Sequence, residues 1–174
     1  MKTLLTIAIG LFGLLIAVVV AVVVIGSLLP KRHVASRSAT YRAKPEQLFA
    51  LIAGPQNWRP DVVRCEAVPD ANGRELMRET TRDGKTVTYQ LLDRVANRSL
   101  KRRIATPGLP YAGTWTIALE PGADSTTVRI TEDGEVYNPV FRFVSRFVLG
   151  HTHTIDAYLR ALGKSVGQDV AVKD

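Results

Sequence analysis

Cysteine is nearly absent: Cys65 stands alone, so no intramolecular disulfide can form and no multi-cysteine metal site can be built. Its alternation with Val63 and Ala67 in an expected strand favours a buried, inert thiol over a reactive one. There is no Gly-rich phosphate loop and no nucleophile elbow, which removes the usual signatures of nucleotide hydrolysis and of serine esterases. No long repeat or low-complexity tract occurs. Acidic residues are in deficit, 16 against 23 Lys and Arg, for a formal charge of +7 and a pI near 9.9. Such an excess fits nucleic acid, an anionic membrane surface, or solubility alone. Charge of either sign is missing from one stretch altogether, Thr3 to Leu29.

That stretch is built from Leu, Ile, Val, Ala and Gly. As a helix it reaches roughly 40 Å, enough to cross a hydrocarbon core of about 30 Å with some tilt. A cleaved signal has a shorter apolar region, about 7–15 residues, and a small-x-small site that Leu28-Leu29-Pro30-Lys31 does not offer. No cysteine lies nearby for lipoprotein processing. A retained single-pass anchor over 3–29 is the expectation, with a short basic linker over 30–33. Lys31, Arg32, Arg37, Arg42 and Lys44 follow the span, against Lys2 before it. The positive-inside rule then favours a cytoplasmic domain at the cell membrane, although the same cations suit anionic headgroups on either side. Five extended residues reach at most about 17 Å, so the domain must sit on the membrane surface.

The soluble part, 34–167, reads as strands joined by turns. Val34–Arg42 is a first strand. Pro45–Ile52 is a short helix ended by Gly54-Pro55, and Gln56–Pro60 is a second short helical turn. Further strands are expected at Val62–Val68, Arg74–Arg82, Lys85–Arg94, Ser99–Thr106, Gly113–Leu119 and Thr126–Val136. Asp83-Gly84 is the clearest hairpin turn among them. Short connections imply antiparallel pairing, since no crossover helix has room.

The longest helical period runs from Asn138 to Val166. At about 100° per residue, one face collects Val140, Val144, Phe147, Val148, His151, Ile155, Tyr158, Leu159, Leu162 and Val166. Arg142, Arg146, His153, Arg160 and Lys164 fall on the other. Asn138 is a good N-cap and Pro139 a good first helical residue. The fold class that follows is α+β: a curved antiparallel sheet of about seven strands closed over one long C-terminal helix. Two short helices follow the first strand, and a transmembrane helix precedes it. Residues 168–174 read as a frayed polar tail.

Several motifs in this order resemble the START-like helix-grip superfamily, the polyketide cyclase/dehydrase and lipid-transport group. They are Lys44-Pro45-Glu46-Gln47-Leu48-Phe49, Asn57-Trp58, Gly113-Thr114-Trp115, and Thr131-Glu132-Asp133-Gly134-Glu135-Val136-Tyr137-Asn138-Pro139. The resemblance spans the whole soluble part. It implies a deep cavity between sheet and helix, and it does not name a reaction, because members include carriers, receptors and cyclases.

Tyr89, Trp115, Ile117, Tyr137, Phe147, Ile155 and Tyr158 are candidate cavity residues, or plain core. His151 is the one polar intruder on the apolar helix face. It is either a neutral imidazole satisfied by one hydrogen bond, or a ligand-contacting or proton-transferring group, with Glu132 as a possible catalytic partner. His151 and His153 differ by about 200° on a helix and cannot share one metal there. Arg102 shares strand parity with Leu100 and Ile104. It either enters the interior, to pair with Glu79 or Glu132 or to bind an anionic ligand group, or it snorkels to solvent from the strand end. The cluster Arg98, Lys101, Arg102, Arg103 lacks the interleaved aromatics of a nucleic-acid platform, so nucleic acid is not expected as a partner. Asn97-Arg98-Ser99 matches a glycosylation acceptor, a frequent chance match.

The leading expectation is a membrane-anchored protein that binds or carries a hydrophobic or amphipathic small molecule, with membrane lipids as further partners. No cofactor is expected, no reaction is required, and oligomeric state is not readable. The alternatives are a cyclase- or dehydratase-type enzyme using His151 and Glu132, and an interaction module docking through Arg102 and Arg103.

Overall fold

The computed structural model describes residues 2–174. Helix α1 covers Lys2–Leu28, and most of its described large apolar side chains are exposed. It is the one helix among the described residues long and apolar enough to cross a membrane, over Ile9–Leu28 with mean hydropathy 3.1. Pro30 cannot continue a helix. Only Leu29, Pro30 and Lys31 separate α1 from strand β1, Arg32–Tyr41, so the connection is shorter than the expected linker.

The remaining strands are β2 (Val62–Val68), β3 (Leu76–Thr81), β4 (Thr86–Val95), β5 (Ser99–Ile104), β6 (Tyr111–Pro121) and β7 (Thr126–Val136). They form one antiparallel sheet in the order β1-β7-β6-β5-β4-β3-β2. The first strand closes against the last, as a helix-grip sheet requires. The turn expected from Asp83-Gly84 is present, with Gly84 at φ 79°, and Asn97 turns the chain between β4 and β5 at φ 60°, left-handed conformations that glycine and asparagine accept.

Helix α2 spans Pro45–Ala53. The second short helix expected after it is instead a pair of turns, in which Arg59 N–H donates to Gln56 and Val62 N–H to Arg59. Pro60 prevents continuation, and the side chains of this segment take over the end of α2. The Gln56 amide donates to the carbonyls of Leu51, Ile52 and Gly54, and the Trp58 indole N–H to Leu51. Carbonyls orphaned at a buried helix end need such partners.

The C-terminal helix is present, with an interruption. Helix α3 spans Pro139–Val144, capped by the Asn138 side chain on the Val140 and Phe141 N–H groups. A π-helical turn follows over Ser145–Leu149, Gly150 turns the chain at φ 77°, and helix α4 runs from His153 to Ser165. Past the break the expected face holds, and Ile155, Tyr158, Leu159 and Leu162 are buried in the grip of the sheet. Before it, the face is lost: Val140, Phe147 and Val148 point outward. A wide turn and a left-handed glycine shift the phase that a uniform period assumes.

Ala35, Ala39, Tyr41, Ile117, Leu119, Val128 and Ile130 from the sheet meet Leu48, Phe49 and Ile52 of α2 and the buried face of α4. The Tyr41 hydroxyl donates to the Leu159 carbonyl at 2.9 Å, which ties β1 to the middle of α4. The tail is not frayed. Gln168 exchanges hydrogen bonds with the Arg42 backbone, and Val170 and Val172 pack on the core. Lys173 pairs with Ser38, covering the outer edge of β1. An uncovered edge strand invites unwanted pairing, and this tail blunts it.

Arg142, expected on a solvated face, is buried. Its guanidinium donates to the carbonyl of Leu29 at 2.8 Å and faces that of Ser27, the orphan acceptors at the end of α1. Gly26 packs so tightly on Pro139 that a Cβ there would overlap its carbonyl. α1 and α3 are therefore joined by direct contact as well as by chain connection.

Candidate functional site

The inner face of the sheet carries a polar row through its apolar lining. Register places Ala35, Glu132, Trp115, Arg102 and Leu91 side by side across β1, β7, β6, β5 and β4. Three of these five residues bear polar groups on the face that covers α4. Two clusters grow from that row.

The first centres on Glu79, in β3 and only 3% exposed. Its carboxylate accepts from Arg59 at 2.8 Å and from Arg102 at 3.3 Å, one guanidinium on each oxygen. Arg102 thus enters the interior, and of the two partners weighed from the sequence it takes Glu79. Aromatic rings enclose its charge, with centres 4.9 Å away for Tyr89, 5.6 Å for Trp115 and 5.7 Å for Tyr158. Such faces attract a cation. Arg59 also holds Asp61 and lies 5.7 Å from the centre of the Tyr158 ring. Burial works against the Arg59 charge, but Asp61 and Glu79 outweigh it and raise its pKa. Burial pushes the Tyr89 and Tyr158 hydroxyls up to about 12, so both stay neutral donors, and that of Tyr158 donates to Gln56 Oε1 at 3.0 Å. Two cations share one buried carboxylate, and Arg102 Nε has no acceptor.

Beside Arg102 lies a cavity of about 50 Å³, bounded also by Tyr89, Leu91, Leu100, Gln56 and Met77. The interior is therefore narrower than the deep cavity that the family resemblance implies, because the aromatic and ionic side chains fill it. A larger groove of about 510 Å³ lies on the opposite face of the sheet, among Arg32, Arg74, Gln90, Arg103 and Asp133. Its polar groups bind one another, Arg32 to the Asp133 carboxylate and Arg103 to the Gln90 amide oxygen, so it is a solvated polar surface outside the grip. Lys101 and Arg103 lie on that side while Arg102 lies within, so the basic cluster is split by the sheet.

The second cluster sits where β1 and β7 meet the break before α4. His33, facing Gly134 across the pair, has its Nε2 3.5 Å from Glu132 Oε1. The other Glu132 oxygen accepts the Trp115 indole N–H at 2.8 Å. A Cβ on Gly134 would run into the His33 ring, so glycine is what lets the imidazole lie flat over the strand. His151 stacks on His33 with ring centres 4.1 Å apart, and its Nδ1 is buried without a partner. His151 reaches Glu132 through His33 and not directly. Burial, then His33 and Arg146, holds the His151 pKa below the ordinary histidine value. The unfolded chain therefore binds protons more readily than the folded one. The stabilisation is complete above about pH 6.5 and is lost as pH falls through the lower folded value. The melting temperature of the full chain is expected to drop on acidification across this range. His151→Phe should flatten that dependence, and an unchanged slope would refute the assignment.

The structure brings Tyr89, Arg102, Trp115 and Tyr158 together around Glu79, with Ile117 and Ile155 fully buried in the adjoining core. It does not bring Tyr137 or Phe147 there. Tyr137, just past β7, is 45% exposed, and Phe147, turned out by the π-helical segment, is 59% exposed. No motif or periodicity of the expected elements points to His33, Arg59 or Gln56. His33 shares parity with Ala35 and Tyr41, which would have placed it inside had β1 been started two residues earlier. Arg59 sits in a turn, where no periodicity points. Cys65 is half-buried, and burial raises its pKa, in keeping with an inert thiol. Among the described residues no group of three or more His, Cys, Asp or Glu is arranged to hold a metal ion.

A seven-stranded antiparallel sheet gripping a C-terminal helix, with a ring-walled polar cluster inside, defines a hydrophobic-ligand-binding fold of the helix-grip class. The chain belongs to the polyketide cyclase/dehydrase and lipid transport family, whose profile matches residues 32–164. It is similar in structure to the Zhui aromatase/cyclase of a Streptomyces species, with TM-score 0.61 and 14% identity over 78% of this chain and 94% of that one. Norcoclaurine synthase from Thalictrum flavum gives TM-score 0.58 and 16% identity over 78% and 86%. A protein from Mesorhizobium loti gives 0.59 and 13% over 77% and 96%. At these identities the likeness is one of fold. No curated protein matches the sequence significantly.

Proposed function

We propose that the chain is a single-pass membrane protein whose helix-grip domain binds an amphipathic small molecule with an anionic head, seated on Arg102. The observation that carries this reading is the incompletely satisfied guanidinium of Arg102: it shares Glu79 with Arg59, and its buried Nε has no acceptor beside a small cavity. A buried donor left unmade costs about 1–3 kcal/mol, more for a charged group. An anionic oxygen in the cavity would supply the missing acceptor, and the rings around Arg102 would meet the first carbons of an apolar tail. A cavity of about 50 Å³ holds a head and no chain, so uptake of the tail requires α4 to move from the sheet. The helix interruption at Gly150 supplies the hinge for that motion. The length and apolar composition of helix α1 support a membrane location, the natural reservoir of such ligands, with the positive-inside rule favouring the cytoplasmic face. No chemical step is needed.

A cyclase- or dehydratase-type reading draws on a different observation, the His33–Glu132 pair with His151 stacked upon it. An imidazole beside a carboxylate can pass protons, but here the pair flanks the interior and lies away from its cavity.

Trp115 faces Arg102 and Trp58 packs on Tyr158 beside it, so brominated ligands report occupancy by quenching their fluorescence. With the full chain in nanodiscs of neutral lipid, a dibrominated fatty acid should quench saturably, and the matching fatty alcohol at least about 10-fold more weakly, the effect of one charged hydrogen bond. Equal quenching by acid and alcohol, or none by either, would sink the proposal.

A further inference from the structure

The apolar side chains that the break turns outward are not scattered. Tyr137, Val140, Phe141, Phe147, Val148 and Leu149 are all exposed, and all belong to α3, its N-terminal approach or the π-helical turn. Exposed apolar residues concentrated in this way mark a contact surface. Their segment is the one fixed to the end of α1. Gly26 lies against the Pro139 backbone, and Arg142 bonds the last carbonyls of α1. The apolar surface therefore continues from the side of α1 onto α3 and the π-helical turn, with Lys31 next to the end of β7 and Arg146 within the turn itself. Continuity with a bilayer-length apolar helix and a cationic border both specify lipid as the occupant.

We infer that α3 and the π-helical turn form a second membrane contact, lying in the interfacial layer of the leaflet from which the C-terminal end of α1 emerges. Phe141, Phe147, Val148 and Leu149 enter the boundary between headgroups and acyl chains, a depth of about 5–10 Å for an interfacial helix. Arg142 fixes the angle between the two elements, so the domain has one orientation on the bilayer. That orientation turns the Gly150 break, with His33 and His151 beneath it, toward the headgroups. This inference rests on the reading of α1 as a membrane span and adds the surface that lies beside it.

The test uses the full chain in nanodiscs on a Cys65→Ala background, with single cysteines carrying an environment-sensitive dye. Phe147→Cys and Val148→Cys probe the surface, Val63→Cys on the far strand β2 is the exposed control, and Leu15→Cys probes the span. Lipids spin-labelled high on the acyl chain should remove most of the emission at 147 and 148 and leave that at 63 intact. Lipids labelled deep in the chain should quench the dye at 15. Quenching at 15 with none at 147 or 148 overturns the interfacial contact and leaves the anchor standing. No quenching at 15 overturns the anchor as well. A blue-shifted but unquenched dye at 147 or 148 assigns the patch to a second copy of the chain or another protein, which also overturns the inference.

Discussion

Glu79→Gln is expected to destabilise the domain by about 3–5 kcal/mol, the usual loss when a buried ion pair is broken from one side. Denaturant unfolding of the full chain, followed by the emission of Trp58 and Trp115, measures it. The size follows from what remains. Arg102 would keep its charge inside a ring-walled pocket, with Tyr89, Trp115 and Tyr158 as its neighbours and no anion within reach. Arg59 fares better, because Asp61 still holds it from the solvent side. Most of the loss therefore belongs to Arg102, and Glu79→Gln combined with Arg102→Met should recover most of it. A single-variant loss under about 1 kcal/mol, the range of an exposed pair, would mean that water already reaches the cluster.

The cluster also shows what the sequence could and could not reveal. Strand parity puts Arg102 on the same face as Leu100 and Ile104, but it leaves open whether the side chain enters to meet Glu79 or Glu132 or snorkels to solvent; the structure takes the first course. Period-2 and turn chemistry located all seven strands, with β2 and β7 matching to the residue. The long helix was overextended because a 3.6 period is insensitive to a single wide turn; Gly150 at φ 77° resets the phase, and Phe147 leaves the buried face with it. Arg59 was hidden for a related reason. It lies in a turn that points inward only because Gln56 and Trp58 are drawn to the end of α2. Cavity volume is the least legible quantity of all. It is the small difference between the space a sheet encloses and the volume of every side chain within it, and rings packed edge to face over a guanidinium consume nearly all of it.

Arg102→Met separates stability from binding, and the two should respond in opposite ways. Methionine fills the space with a flexible apolar chain and removes the incompletely satisfied guanidinium, while Glu79 keeps Arg59 at 2.8 Å. Replacing a buried charge by an apolar residue of similar volume is commonly neutral or stabilising. The midpoint of unfolding should hold or rise. Binding of a carboxylate amphiphile should fall by about 10- to 100-fold, since a hydrogen bond to a charged group contributes about 1.5–3 kcal/mol. Binding of the neutral analogue should not change, because it never had an anion for Arg102 to meet. Arg102→Lys should fall between, retaining charge but losing the planar fork and its stacking on Tyr89 and Trp115. Quenching titrations of Trp58 and Trp115 with the brominated acid read all three variants. A folded Arg102→Met protein that binds the acid as tightly as the parent would remove Arg102 from the site. The buried guanidinium would then be a structural element, shielded by its rings and answering to no ligand.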